Sequence, residues 1–107
     1  MGRIKAMNRD QVIQTLQAHE RELRAEGVLS LSLFGSLARA EGPAQDVDVA
    51  VRLAESFSQR GLDYFSRLDQ LERHLSRILR CRVDVVEEPV RKDRFQREID
   101  KDRVLAF

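Results

Sequence analysis

Residues 33–51 read LFGSLAR, AEGPAQ and DVDVAV in succession. The stretch has the form of a strand entering a tight Gly35-Ser36 turn, a short helical turn, a Gly42-Pro43 loop, and a second strand that opens on two carboxylates. Side chains alternate along a strand, so Asp46 and Asp48 share one face while Val47, Val49 and Val51 take the other. Two like charges on one sheet face repel, and hard oxygen donors so placed suit a divalent cation such as magnesium. Gly35 and Ser36 add backbone N–H groups at the start of a helical turn, where a phosphate is stabilised. Cation ligands and a phosphate cradle in one short segment point to phosphoryl or nucleotidyl transfer.

Composition narrows the alternatives. A chain of 107 residues is the size of one domain and buries about two-thirds of its unfolded surface, enough for a core. Lys and Arg number 19 and Asp and Glu 18, a net charge of +1 that argues against direct nucleic-acid binding. The lone Cys81 rules out an intrachain disulfide and fits a reducing cytoplasm. No apolar run reaches the ~18 residues of a membrane span, so no membrane association is expected. Residues 1–7 are expected to form a flexible N-terminal tail ahead of a single domain over 8–107.

In chain order, Asn8 with Gln11 forms a capping box ahead of a helix whose apolar stripe is Val12, Ile13, Leu16 and Leu23, closed by Gly27. Strand one spans Val28 to Phe34, with Leu29, Leu31 and Leu33 facing inward and a second, semi-open face. Strand two is Asp46 to Arg52. Residues 54–61 read as a loop, and 62–80 as the longest helix, with Phe65, Leu68, Leu71, Leu75, Ile78 and Leu79 on its packed face. Strand three runs from Cys81 to Val86 and is ended by Pro89. Residues 91–107 read as a final helix or helix pair. His19, Tyr64 and His74 fall on helices as packing or solvated residues, not catalytic ones.

Asp84 is the third carboxylate of interest. It interrupts the apolar run Val83 to Val86, and an acid there costs free energy unless it has a partner. A cation shared with Asp46 and Asp48 would be one partner; an ion pair with Arg82 or another arginine would be the other.

The pair FGSLAR and DVDVAV, with Asp84 behind it, resembles the Gly-Ser and Asp-x-Asp signature of the DNA polymerase β-like nucleotidyltransferase superfamily. Within it the chain resembles the minimal nucleotidyltransferases (the MNT family), including the MntA-type antitoxins paired with HEPN-domain toxins. The resemblance implies an α/β (α+β) fold, a small mixed sheet with helices mainly on one face. It implies Asp46, Asp48 and Asp84 as catalytic and metal-binding residues holding two Mg2+ ions, with Asp84 also available as general base. Gly35, Ser36 and Arg39 would bind the triphosphate. The implied reaction moves a nucleoside monophosphate, AMP from ATP, to a hydroxyl of a HEPN toxin, within a homo- or hetero-oligomer. Two alternatives remain at this stage: a non-catalytic binding antitoxin, and an aminoglycoside-type nucleotidyltransferase needing a partner domain. The chain departs from many relatives in having nine residues, 37–45, between Gly-Ser and Asp46 where ten are usual. It also carries Ala40 and Gln45 where Gly and Ser are frequent. Neither change removes a candidate ligand.

Overall fold

A computed structural model describes residues 7–40, 46–58 and 63–107. The elements are α1 (Arg9–Ala18), α2 (Glu20–Ala25), β1 (Val28–Phe34), α3 (Gly35–Ala38), β2 (Asp46–Leu53), α4 (Glu55–Ser58), α5 (Asp63–Leu79), β3 (Arg82–Glu87), α6 (Asp93–Asp102) and β4 (Val104–Leu105). The four strands form one mixed sheet in the order β3-β2-β1-β4. β1 is antiparallel to both β2 and β4, while β2 and β3 run parallel. Parallel neighbours need a crossover, and the segment containing α4 and α5 supplies it.

The valines of β2 decide which way the sheet faces. Val47, Val49 and Val51 are fully buried with Leu31, Leu33 and Val83 from the flanking strands. Over them pack Val12 and Leu16 of α1, Leu23 of α2, and Leu71, Leu75 and Leu79 of α5. Period two in the strands and period 3.6 in the helices thus converge on one layer. The second face is smaller and covered by α6, whose buried Ile99 meets Phe34 and Ala50, with Val86 and Val90 packed alongside. Under α6 lies a polar cluster. Buried Glu88 accepts from Arg103 and, at 2.7 Å, from Gln96 Nε2, and Arg103 Nη1 also donates to Ser32 Oγ at 3.1 Å. A buried carboxylate so surrounded has its lone pairs satisfied.

The Asn8–Gln11 capping box is present, and Gly27 ends the helical segment at φ +106°. The segment is two helices, not one, with a break at His19. Leu29 was expected to face inward and is instead 53% exposed. An irregularity in the pairing between Val28 and Ser30 shifts the parity, so that Val28 is buried in its place. The stretch read as a loop over 54–61 contains α4, which exists to bury Phe57 against Gly27 and Tyr64. Residues 59–62 lie outside the described residues. Phe65, assigned to the packed stripe of α5, is 77% exposed and meets the Tyr64 ring edge to face, with centroids 5.2 Å apart. The C-terminal segment is a helix and a strand rather than helices alone. Val104–Leu105 pairs with Leu33 and Ser32, and the Leu31 N–H donates to the Phe107 carbonyl at 3.0 Å. Of the tail expected over 1–7, residues 1–6 lie outside the described residues, while Met7 packs against the core. Among the described residues no helix is long and apolar enough to cross a membrane.

Candidate active site

Strand direction assembles the site. β1 ends at Phe34 and turns at Gly35; β2, antiparallel to it, begins at that same end with Asp46 and Asp48. β3, parallel to β2, also begins there, and Asp84 stands beside Asp48 in register. Phe34 is the partner of Asp48 on its other side. The turn and all three carboxylates therefore meet at one end of the sheet, although Asp84 is 36 positions beyond Asp48.

Gly35 has φ +76°, a conformation that costs an L side chain about 1–2 kcal/mol. It also approaches Asp48 so closely that a Cβ on Gly35 would stand 2.6 Å from Asp48 Oδ2. Glycine is needed here both for the turn and for the carboxylate beside it. The turn leads into α3, where Ser36 is exposed and Leu37 and Ala38 are buried as anchors.

The three acids are unequal. Asp46 is exposed and Asp48 half-buried. Burial, then the charges of Asp84 and Asp46, push the Asp48 carboxyl above its ordinary range. Asp84 is half-exposed, and Arg82 Nε lies 3.7 Å from its Oδ1. That long, solvated pair is a weak partner, in the range of about 0–1 kcal/mol. The thiol of Cys81, next to this strand, is pushed up by burial and by the charge of Asp46, which disfavours its thiolate. Among the described residues no three acidic, His or Cys side chains converge closely enough to surround an ion as they stand. The donor chemistry, carboxylates held near one another against their own repulsion, is of the kind a hard divalent cation takes.

Arg39 follows α3 and donates from Nη1 to Asp102 Oδ2 at 2.6 Å, joining the turn to the end of α6. The sequence carries no signal for Asp102, because 63 positions separate it from Arg39 and no local spacing links them. Nor does it signal that Phe34, at the lip of the turn, meets Phe95 of α6 edge to face with centroids 5.9 Å apart. Residues 41–45, which join α3 to β2, lie outside the described residues.

The other titratable side chains singled out in the sequence lie away from this end. His74 reaches from α5 to Glu26 at 2.5 Å and to Glu22 at 3.3 Å, and His19 lies 3.0 Å from Glu22. The Tyr64 hydroxyl donates to Glu87, and burial with that carboxylate pushes its pKa up to about 12.

A glycine turn, a serine, and carboxylates from two parallel strands meet at one sheet end. Residues 16–106 match the family described as "Nucleotidyltransferase domain", and the chain belongs to that family. No curated protein sequence matches the chain significantly. Among solved structures it is similar to one described as a minimal nucleotidyltransferase, with TM-score 0.71 and 24% identity over 92% of this chain and 95% of the other. It is also similar to a toxin–antitoxin complex with AMP-PNP, with TM-score 0.62 and 21% identity over 94% of this chain and 73% of the other. A third is the tri-AMPylated Shewanella oneidensis HEPN toxin with MNT antitoxin, with TM-score 0.61 and 18% identity over 89% of this chain and 71% of the other. The fold is thus the one the resemblance implied.

Proposed function

We propose that the chain transfers a nucleoside monophosphate, AMP from ATP, to a hydroxyl of a partner protein, and that the partner is a HEPN toxin which the transfer neutralises. The observation that carries this reading is the in-register pair Asp48 and Asp84 beside the Gly35 turn, with Asp46 at the mouth. The solved complexes above, one with AMP-PNP and one with an AMPylated toxin, support the nucleotide and the acceptor.

In this reading the N–H groups of the Gly35-Ser36 turn and the Ser36 hydroxyl hold the terminal phosphates. Arg39 contributes charge there on exchanging its bond with Asp102 for one to phosphate. Asp46, Asp48 and Asp84 would hold magnesium, two ions in the full arrangement, which supplies charge neutralisation at phosphorus and a more acidic acceptor hydroxyl. Asp84, nearest the open edge, takes the proton of that hydroxyl. The new bond joins the acceptor oxygen to the α-phosphorus, and the bond to the bridging oxygen breaks to release pyrophosphate.

The test is transfer of label from α-labelled ATP to a purified HEPN partner, in magnesium and in chelator. Magnesium-dependent labelling of the partner, abolished in Asp48→Asn, is the expected result. Neutralisation of the toxin by unlabelled, nucleotide-free complex would instead establish a binding antitoxin.

A further inference from the structure

The ion pair between Arg39 and Asp102, which joins the Gly35-Ser36 turn to α6, has two unequally placed partners. The Asp102 side chain is 11% exposed, while that of Arg39 is 45% exposed. The backbone around Arg39 is fixed. Its N–H donates to the Gly35 carbonyl at 3.2 Å, and Arg9 Nη1 of α1 donates to the Ala38 carbonyl at 2.9 Å. The acid is therefore the held member of the pair, and the guanidinium is the member with room to turn. Arg39 stands one helical turn beyond Gly35, about 6 Å along the axis, within reach of anything seated on the turn. The next guanidinium, Arg103, is committed to Glu88, Ser32 and Asp100, so it does not stand in for Arg39 at Asp102.

We infer that Asp102 holds, on Arg39, the place of a terminal phosphate, and that it acts as a built-in competitor which lowers the affinity of the site for triphosphate and for pyrophosphate. The inference rests on the reading above that the phosphates sit at the Gly35-Ser36 turn and take Arg39. A guanidinium offers carboxylate and phosphate oxygens the same planar fork of N–H groups, so the two anions exchange on it with the same donor geometry. When phosphate takes Arg39, a largely covered carboxylate is left without its counter-charge and beside an incoming anion. A covered charge parted from its partner is unfavourable, and like charges at short range repel. Both effects oppose triphosphate binding. The same exchange in reverse returns Arg39 to Asp102 as pyrophosphate leaves, so the pair favours product release. Asp102 acts through Arg39 and is a positioning residue, not a catalytic one.

The experiment titrates the whole protein, in magnesium, with a non-hydrolysable ATP analogue, with pyrophosphate, and with tripolyphosphate, which carries no nucleoside. Asp102→Asn keeps the shape and a neutral oxygen acceptor, and should tighten all three by about five- to tenfold, the difference between a charged and a neutral acceptor. Asp102→Ala offers Arg39 no acceptor and should tighten them at least as much. In an Arg39→Gln background, itself weaker than wild type, the same two changes should have no effect, because the competition runs through that guanidinium. Glu98→Gln removes an equal charge at an exposed position one turn earlier on α6 and should bind as wild type. Asp102→Asn that binds as wild type or more weakly overturns the inference. So does equal tightening by Glu98→Gln, or tightening that persists without Arg39. Failure of both Asp102 variants to fold, seen in melts without ligand, would make the acid a residue of the fold and also overturns it. Transfer of label to a HEPN partner is scored separately on wild type. Its absence alongside the expected affinities sinks the transferase reading and leaves the competitor; normal transfer with unmoved affinities does the reverse.

Discussion

Gly35 shows how narrow the tolerance is at the level of one residue. A methyl group there meets both a strained φ and the Asp48 carboxylate, and the easier relief is for the carboxylate to move. Gly35→Ala is expected to cost about 1–2 kcal/mol in urea unfolding while removing most of the stabilisation by magnesium and ATP. Retention of the full ligand-induced shift would mean that the phosphates do not use this turn. Asp48 carries the opposite trade. Its carboxyl is held above its ordinary range by burial and by two neighbouring acids, so its charge works against folding. In chelating buffer at neutral pH, Asp48→Asn should unfold at a slightly higher temperature than wild type, yet transfer more than about 100-fold more slowly. A lower melting temperature would show that the carboxylate serves the fold.

At the level of elements, the helix α6 and the short strand β4 matter more than their length suggests. Arg103 joins them and is the main partner of buried Glu88, whose carboxyl it holds below the usual range. Arg103→Ala leaves that charge without its main partner and should cost about 3 kcal/mol, while adding Glu88→Gln should recover much of the loss. Glu88 is depressed in the folded state, so its contribution is present above its unfolded value near 4.3 and is lost as pH falls through the lower folded value. Wild type and Glu88→Gln should accordingly converge in stability only as pH falls through that lower folded value, as denaturant melts at stepped acidic pH would show. Little of this arrangement was readable in advance. The Asp-x-Asp strand and α5 were legible because Val47, Val49 and Val51, and Leu71, Leu75 and Leu79, repeat with the period of their element. β4 has two residues and no period to read, and its pairing with β1 is a long-range event. α4 was hidden for the same reason, since its one buried apolar residue, Phe57, sits among polar neighbours. Leu29 misled because a local irregularity in pairing reverses parity, and no composition signals it. Asp84 was legible because an acid within an apolar run is itself the signal.

Over the whole molecule, the topology separates the three carboxylates by position. Asp46 and Asp48 open the strand that runs beside the Gly35 turn, which in the proposed reaction is the nucleotide side. Asp84 lies near the start of the edge strand and is half-exposed. In the proposed reaction, losing either of the first two removes charge that would hold the metal–triphosphate complex. Losing the third leaves that complex held by the turn and the other two, and takes away the group nearest the acceptor. Asp46→Asn and Asp48→Asn should therefore weaken binding of a non-hydrolysable ATP analogue, read by calorimetry in magnesium, and abolish transfer with it. Asp84→Asn should bind the analogue within a few-fold of wild type and still lose transfer by about 100-fold or more, because the loss falls on the chemical step alone. If Asp84→Asn transfers at the wild-type rate, its contact with Arg82 is what the carboxylate is for, and the acceptor side of the site lies elsewhere.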